Sequence, residues 1–350
     1  MKRVSARAIG LGLLAVVVAA AVAAPLLAPN DPSASFPDRA FAPPMRPHLV
    51  ADDGSWHAPF VYGVRLASRL EQRYDEDRSR RLPLAFLSGG RLVSLADGGS
   101  GPWLPLGADG SGRDVASRLL FGARTSIGLA LAASLAAIVI GVAAGSLAGY
   151  LGGITDEVVM RVAEFALVLP AVYVVLALRA VLPLVLAPAV AFLLMTGIFA
   201  LVGWPWVARA VRGAVAAEAS LDYAVAARSL GAGPARVLFR HVLPACRGLV
   251  GAQAVLLVPG FVLSEATLSY LGLGFPDPVP SWGSMLQDAA NVNVLARFPW
   301  MLLPAAAIVV VTLAVNLAWG AGLSAVQHAA VRGAAPALAQ NAALQDRTPR

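Results

Sequence analysis

"AVAARSLGAGPARVLFRHVLP", Ala224 to Pro244, lies between two stretches apolar enough to sit in lipid. It carries Arg228, Arg236 and Arg240, the helix breakers Gly231, Gly233 and Pro234, and His241. Good helix formers lead into it: Ala214 to Leu230 reads as a helix. Leu221, Ala224 or Val225, and Leu230 fall along one side, with Glu218, Asp222 and Arg228 toward another. Gly231 stops that helix, as a left-handed glycine does just past a C-terminus. Pro234 opens a second, because its missing N–H costs nothing in a first turn. The second helix ends toward Pro244. The spacing predicts a helix–turn–helix elbow with an exposed tip around Ala227–Gly233. On spacing alone, a loop that merely lies on lipid headgroups is an equal alternative.

Composition makes the surroundings membrane. The 350-residue chain is 58% hydrophobic and 13% charged, about half the charge of a soluble domain. Stretches long enough to span about 30 Å of hydrocarbon run Ala8–Leu27, Ser126–Gly149, Val162–Leu178, Leu184–Trp206, Gly248–Leu271 and Trp300–Leu323. The expected fold class is an all-α polytopic membrane protein with six transmembrane helices. Lys2, Arg3, Arg7 and the "AVAAP" ending give the first span the look of a cleavable secretory signal. Pro25 stands where the mature chain would start, so the helix is expected to stay as an anchor over 1–29.

Arginine sets the orientation. Arg209, Arg212, Arg228, Arg236, Arg240 and Arg247 follow the fourth span against only Glu218 and Asp222, and Arg161 follows the second. Basic loops mark the cytoplasmic side. Both termini are then cytoplasmic, at the plasma (inner) membrane, and 30–112 is an extracytoplasmic segment. A membrane core over 113–325, holding a cytoplasmic loop at 208–247, and a cytoplasmic tail at 326–350 complete the division. The net charge of +7 is what basic loops beside lipid produce, and no nucleic-acid partner is expected.

Several chemistries are excluded by residue type. Lys2 is the only lysine, so no phosphate loop with its Gly-Lys-Ser/Thr ending can form. The four histidines make no His-Glu-x-x-His zinc motif, and Cys246 is the single cysteine. No metal, cofactor or catalytic residue is expected; any ATP must be hydrolysed by another subunit. Gly141, Gly145 and Gly149 form a stripe for close helix approach. Glu164 and Glu265 are ionisable at membrane depth, either along a translocation path or in core hydrogen bonds. Trp282 and Met285, in "PDPVPSWGSMLQDAA", face either an external receptor or the outer headgroup layer.

The elbow also resembles the cytoplasmic loop of ATP-binding-cassette importer permeases, Glu-Ala-Ala, three residues, Gly, nine residues, Ile-x-Leu-Pro. Ala226, Ala227, Gly231, Leu243 and Pro244 stand at that spacing, with Val225 at the glutamate position and His241 at the isoleucine. "LGADGSGRDVASRLLFGARTS", "GYLGGITDEVVMR" and "SEATLSYLGLGFPDPVPSWGSML" resemble segments of the dipeptide/oligopeptide/nickel branch. The resemblance runs from Leu106 to about Leu323; "NLAWGAGLSAV" departs from it, and 30–105 lies outside it. It implies a non-catalytic subunit that imports peptides or a related solute such as a nickel chelate or glutathione. Its implied partners are a homologous second permease, two ATPase subunits, an extracytoplasmic solute-binding protein and membrane lipid. Asp222, Ala226, Ala227, Arg228, Gly231, Pro234, Leu243 and Pro244 would then couple to the ATPase. The competing readings are an ion-coupled secondary transporter, which wants inverted repeats and mid-membrane relays, and a membrane anchor serving segment 30–105.

Overall fold

Apolar runs become helices because a helix satisfies every backbone polar group within its own segment inside lipid. The computed structural model describes residues 2–51, 54–69, 71–96, 101–170, 173–174, 177 and 187–319. In chain order the helices are α1 (Lys2–Val22), α2 (Ala24–Leu27), α3 (Val115–Leu151) and α4 (Gly153–Val168). Next come α5 (Pro188–Ala219), α6 (Asp222–Ser229), α7 (Pro234–Val237), α8 (Leu243–Ala245) and α9 (Arg247–Tyr270). The last are α10 (Trp282–Asp288), α11 (Val292–Arg297) and α12 (Pro299–Trp319). Among the described residues, α3, α5, α9 and α12 are the four long and apolar enough to cross a membrane. The apolar part of α1, Ala6–Val22, is shorter, and α4 has 16 residues. Most of the expected third span beyond 170, the end of the sixth beyond Trp319 and the tail at 326–350 lie outside the described residues.

The expectation of an all-helical chain fails between residues 48 and 95. There β1 (His48–Val50), β2 (Trp56–Ser68), β3 (Arg73–Ser88) and β4 (Arg91–Leu95) form an antiparallel meander in the order β1-β2-β3-β4. Its buried face joins Val61, Val64, Leu82 and Leu84 to Ala42, Met45 and Leu104. The charged half of β3, "RYDEDRSRR", holds as strand because it pairs along β2, where Arg65 stands opposite Asp75. Opposite charges across a strand pair contribute roughly 0.2–1 kcal/mol each. Phe41 stacks on Phe298 at 4.5 Å, and Phe298 lies 5.5 Å from Trp300, so the segment docks on the start of α12.

The helical core is built on α3. Gly141, Gly145 and Gly149 meet α5 backbone to backbone: a Cβ on Gly141 would lie 2.8 Å from the Trp204 carbonyl oxygen. A Cβ on Gly145 would strike the Ala208 carbonyl. Around this contact Ala130, Ala133, Ala137, Phe199, Phe261 and Val262 close the apolar centre. Asp114 caps α3 by accepting from the N–H groups of Ala116 and Ser117, an arrangement that contributes about 1 kcal/mol. Asn30 ties the end of the first helical segment to that cap, donating from Nδ2 to Asp114 Oδ2 at 3.1 Å and from its backbone N to Ser117 Oγ at 3.1 Å. Burial pushes the Asp114 carboxyl above its usual range, while the bonds from Ser117 and Asn30 pull it back.

Candidate functional site: the elbow and the ion cluster

The elbow opens where α5 ends. Ser220 turns the chain, α6 runs to Ser229, and Gly231 follows with φ +84. The Ala232 N–H donates to the Ala227 carbonyl at 3.0 Å and the Gly231 N–H to the Arg228 carbonyl at 3.0 Å. These are the two bonds of a Schellman stop. A Cβ on Gly231 would meet nothing within 4 Å, so it is backbone conformation, rather than space, that asks for glycine. Pro234 starts α7, and a wide π turn over Leu238–Val242 leads into α8. Pro244 accounts for the widening, since its ring crowds the carbonyl four residues back. The helical path therefore runs through Pro244 to Ala245 and breaks at Cys246, later than the expected end.

The elbow has an apolar core of its own. Ala224, Val237, Leu238, Val242 and Cys246 are buried with Val207, Val211 and Val215 of α5. Arg228 donates from Nη2 to the Ala219 carbonyl at 2.5 Å and from Nε to the Ala224 carbonyl at 3.3 Å. It straps the tip to the end of α5 instead of projecting freely. Tyr223 donates to Glu218 at 2.6 Å, and burial together with that carboxylate pushes its phenol up to about 12. Leu230, by contrast, is 88% exposed at the tip, with Leu221 and Val225 also exposed. Asp222, Ala226, Gly231, Pro234 and Pro244 are exposed as well, and Ala227 and Leu243 are half-buried.

A charged cluster occupies the opposite end of α3. Gly112, at φ +74, lets the chain pass the Phe36 carbonyl, where any Cβ would collide. Asp109 Oδ1 then accepts from the N–H of Ser111 and of Arg113, both at 2.9 Å. Arg113 donates to Asp109 at 2.7 Å, to Asp288 at 2.9 Å and to Asp277 at 3.0 Å. Arg118, 1% exposed, lies 3.4 Å from Asp109 and 3.7 Å from Asp288. Burial works against the Arg113 charge, but Asp109, Asp288 and Asp277 outweigh it and raise its guanidinium pKa. Burial likewise raises the Asp288 carboxyl, against the pull of Arg113. The cluster joins three separate pieces of chain: the loop before α3 with that helix's first turn, the loop after α9 and the end of α10.

Beside it, Glu265 is 2% exposed and accepts from Ser126 Oγ at 2.7 Å and Ser269 Oγ at 2.6 Å. Ser126 Oγ in turn accepts from the Trp282 N–H at 3.1 Å. The chain α3–α9–α10 is thus bolted by one buried hydrogen-bond network.

Residues 137–321, more than half of the chain, match the family described as the binding-protein-dependent transport system inner membrane component. The chain belongs to this family. It is 38% identical over 207 residues to the oligopeptide transport system permease protein OppC of Bacillus subtilis, covering 59% of this chain and 65% of that relative. The OppC of Escherichia coli is 42% identical over 207 residues, 59% of this chain and 66% of its own length. A putative peptide permease of Brucella ovis is 36% identical over 211 residues, 60% and 68% respectively. The match thus spans about two thirds of these relatives. Among solved structures, the MetNI methionine ABC transporter in inward-facing form aligns at TM-score 0.47 and 18% identity, covering 60% of this chain and 95% of that one.

In this inner membrane component the sequence-derived sites divide. The elbow residues come together as one unit. Trp282 and Met285 do not face outward: they are 2% and 4% exposed, and the Trp282 indole donates to the Leu119 carbonyl at 3.1 Å. Ser281 caps α10 with a reciprocal Ser284 bond, which folds the apolar face of this short helix onto α3 and α9. Glu265 sits in the packed core rather than beside an open path. Glu164 lies outside the packed core: it is exposed on α4 and pairs with Arg161 at 3.7 Å. The cluster of Asp109, Arg113, Arg118, Asp277 and Asp288 was not singled out as a site from sequence. Its signal was available, in charges that flank apolar helices within the motifs "GADGSGRDVASR" and "FPDPVPSWGSMLQD".

Proposed function

We propose that this chain is one of two permease subunits of an ATP-driven, binding-protein-dependent importer of peptides or a related small solute. Two partner ATPase subunits hydrolyse the ATP, and a solute-binding protein delivers cargo from outside. Six helices cross the membrane, both termini are cytoplasmic, segment 30–112 is external, and the elbow faces the cytoplasm. The observation that carries this reading is the elbow itself, on a member of a binding-protein-dependent transport family. A solvent-filled loop would be floppy; this one is stopped by Gly231, strapped by Arg228 and packed on α5 and α9, with Leu230 left bare for a partner cleft. A rigid lever of that kind transmits the closure of two ATPases to the spans, where a soft loop would absorb it. Asp222, Ala226, Ala227, Gly231, Pro234, Leu243 and Pro244 shape the contact. Arg228 holds it in place.

Gly231→Asp tests the reading. A residue with a β-carbon in this left-handed conformation costs roughly 1–2 kcal/mol, and nothing in the fold clashes with it. The added charge, buried unpaired in a partner cleft, costs several kcal/mol more, on the order of 100-fold or greater in affinity. Pull-down from membranes should recover the variant at normal level without its ATPases, and uptake should stop. Arg236→Ala, exposed on α7, should be milder. Full ATPase association and uptake by Gly231→Asp would make the elbow an ordinary interfacial loop.

A further inference from the structure

The β3–β4 hairpin ends in "AFLSGGRLV", Ala85 to Val93, and its turn leaves three large apolar side chains bare. Phe86 is 58% exposed, Leu87 74% and Leu92 40%. Single exposed leucines need no explanation, but Phe86, Leu87 and Leu92 crowd one hairpin end whose only charge is Arg91. Its place in the fold says what meets it. Arg91, at the turn, donates from Nη1 to the Pro29 carbonyl at 2.6 Å, and β4 packs against α2. Ala8 to Leu27 is 20 residues of apolar helical segment, about 30 Å at 1.5 Å per residue, which matches the hydrocarbon thickness. A chain that enters the bilayer near Ala8 leaves it near Leu27. Pro29 therefore sits at the membrane–water boundary, and the hairpin turn is held there with it.

We propose that the β3–β4 turn is a membrane-surface anchor, with Phe86, Leu87 and Leu92 inserted among the lipid headgroups of the leaflet beside α2. The partner is phospholipid, and the mode is that of an interfacial apolar insertion with a basic flank. Arg91 supplies the basic flank: its guanidinium reaches the Pro29 carbonyl, the level at which long basic side chains keep their charge at an interface. The sheet is thereby fixed at two places, by the Phe41–Phe298–Trp300 contact near the β2–β3 turn and by lipid at the β3–β4 turn. The proposal rests on α1–α2 crossing the bilayer, and its test separates the two.

The experiment uses the full chain with Cys246→Ala, in phosphatidylcholine proteoliposomes. One cysteine is placed at a time, as Leu87→Cys, Val22→Cys or Arg80→Cys, and labelled with an environment-sensitive nitrobenzoxadiazole dye. Val22, 73% exposed on α1, is the bilayer reference, and Arg80, exposed mid-way along β3, is the aqueous one. Nitroxide lipids carrying the quencher near the headgroup should quench the Leu87 label well above the Arg80 label, with a blue-shifted emission. Deep nitroxides should favour Val22. A Leu87 label that behaves like Arg80 while Val22 is quenched overturns the anchor and leaves the spanning helix intact. Loss of quenching at Val22 as well overturns both, and strong Leu87 shielding without lipid quenching assigns the tip to a protein surface instead.

Discussion

Replacing Arg113 with alanine removes the centre of the ion cluster. Three carboxylates then lose their shared partner: Asp109, 3% exposed at the side chain, Asp288, 33%, and Asp277, 76%. Their contributions differ with solvent. The Asp277 pair is surface-like and contributes about 0–1 kcal/mol. The Asp109 pair is buried, and breaking such a pair from one side costs about 3–5 kcal/mol because a charge is left without compensation. Arg118 remains within 3.4 Å of Asp109 and recovers a part of this, so the net loss is about 3 kcal/mol. At roughly 2 °C per kcal/mol for a chain of this size, the melting temperature should fall by about 5 °C or more. Heating the detergent-solubilised protein and following the monodisperse peak by size-exclusion chromatography reads this directly. Arg113→Lys should recover only part, since an ammonium is a point charge that cannot serve three carboxylates in one plane. Asp277→Asn should be nearly silent. If Arg113→Ala melts with the wild type, the cluster is a surface ornament and the argument for a cap joining α3 and α10 is wrong.

Other outcomes follow from the same packing. Glu265→Gln should keep both serine contacts and retain folding and uptake, whereas Glu265→Ala strands Ser126 and Ser269 and should lose about 2 kcal/mol or more; a folded Gln variant that fails to transport would show that the carboxylate charge itself is needed. Gly145→Ala forces α3 off the Ala208 backbone and should lower the yield of folded protein, while Gly213→Ala, a helical glycine with nothing within 4 Å, should gain up to about 1 kcal/mol. Cys246 is 3% exposed, and burial, with the Glu218 charge adding to it, raises its thiol pKa. The reactive thiolate is therefore scarce at neutral pH and grows as pH rises, so maleimide labelling of native protein should be slow, speed up with pH, and become fast on denaturation at any pH. Rapid labelling of folded protein at neutral pH would contradict the buried elbow core.

Four of the six expected spans, α3, α5, α9 and α12, were legible because lipid imposes one simple demand, an unbroken apolar run. Their ends were not, because helices continue past the bilayer: α3 begins at Val115, well before the apolar run that starts at Ser126. The elbow was legible in Gly231 and Pro234, whose backbone preferences are local. Arg228 was harder, since only the folded chain brings it to the Ala219 carbonyl nine residues back. The meander was missed because "RYDEDRSRR" has the composition of a solvated loop, and its strand character comes from pairing with β2 rather than from its own pattern. Trp282 and Met285 looked like outward anchors for a related reason. A short amphipathic helix shows which face is apolar, but not whether water, lipid or protein lies against it.

The knot of Asn30, Asp114 and Ser117 has a bearing on ancestry and engineering. Asn30 and Asp114 are 84 positions apart in sequence yet share a hydrogen bond, so everything between them departs from one spot and returns to it. The cost of closing such an excursion grows only with the logarithm of its length. A segment pinned at its neck can gain strands, lose them or be exchanged without the helices beneath it changing their spacing. Residues 46–96 are accordingly a graft point: a reporter domain with adjacent termini, spliced there, would ride on the helices as on a fixed platform.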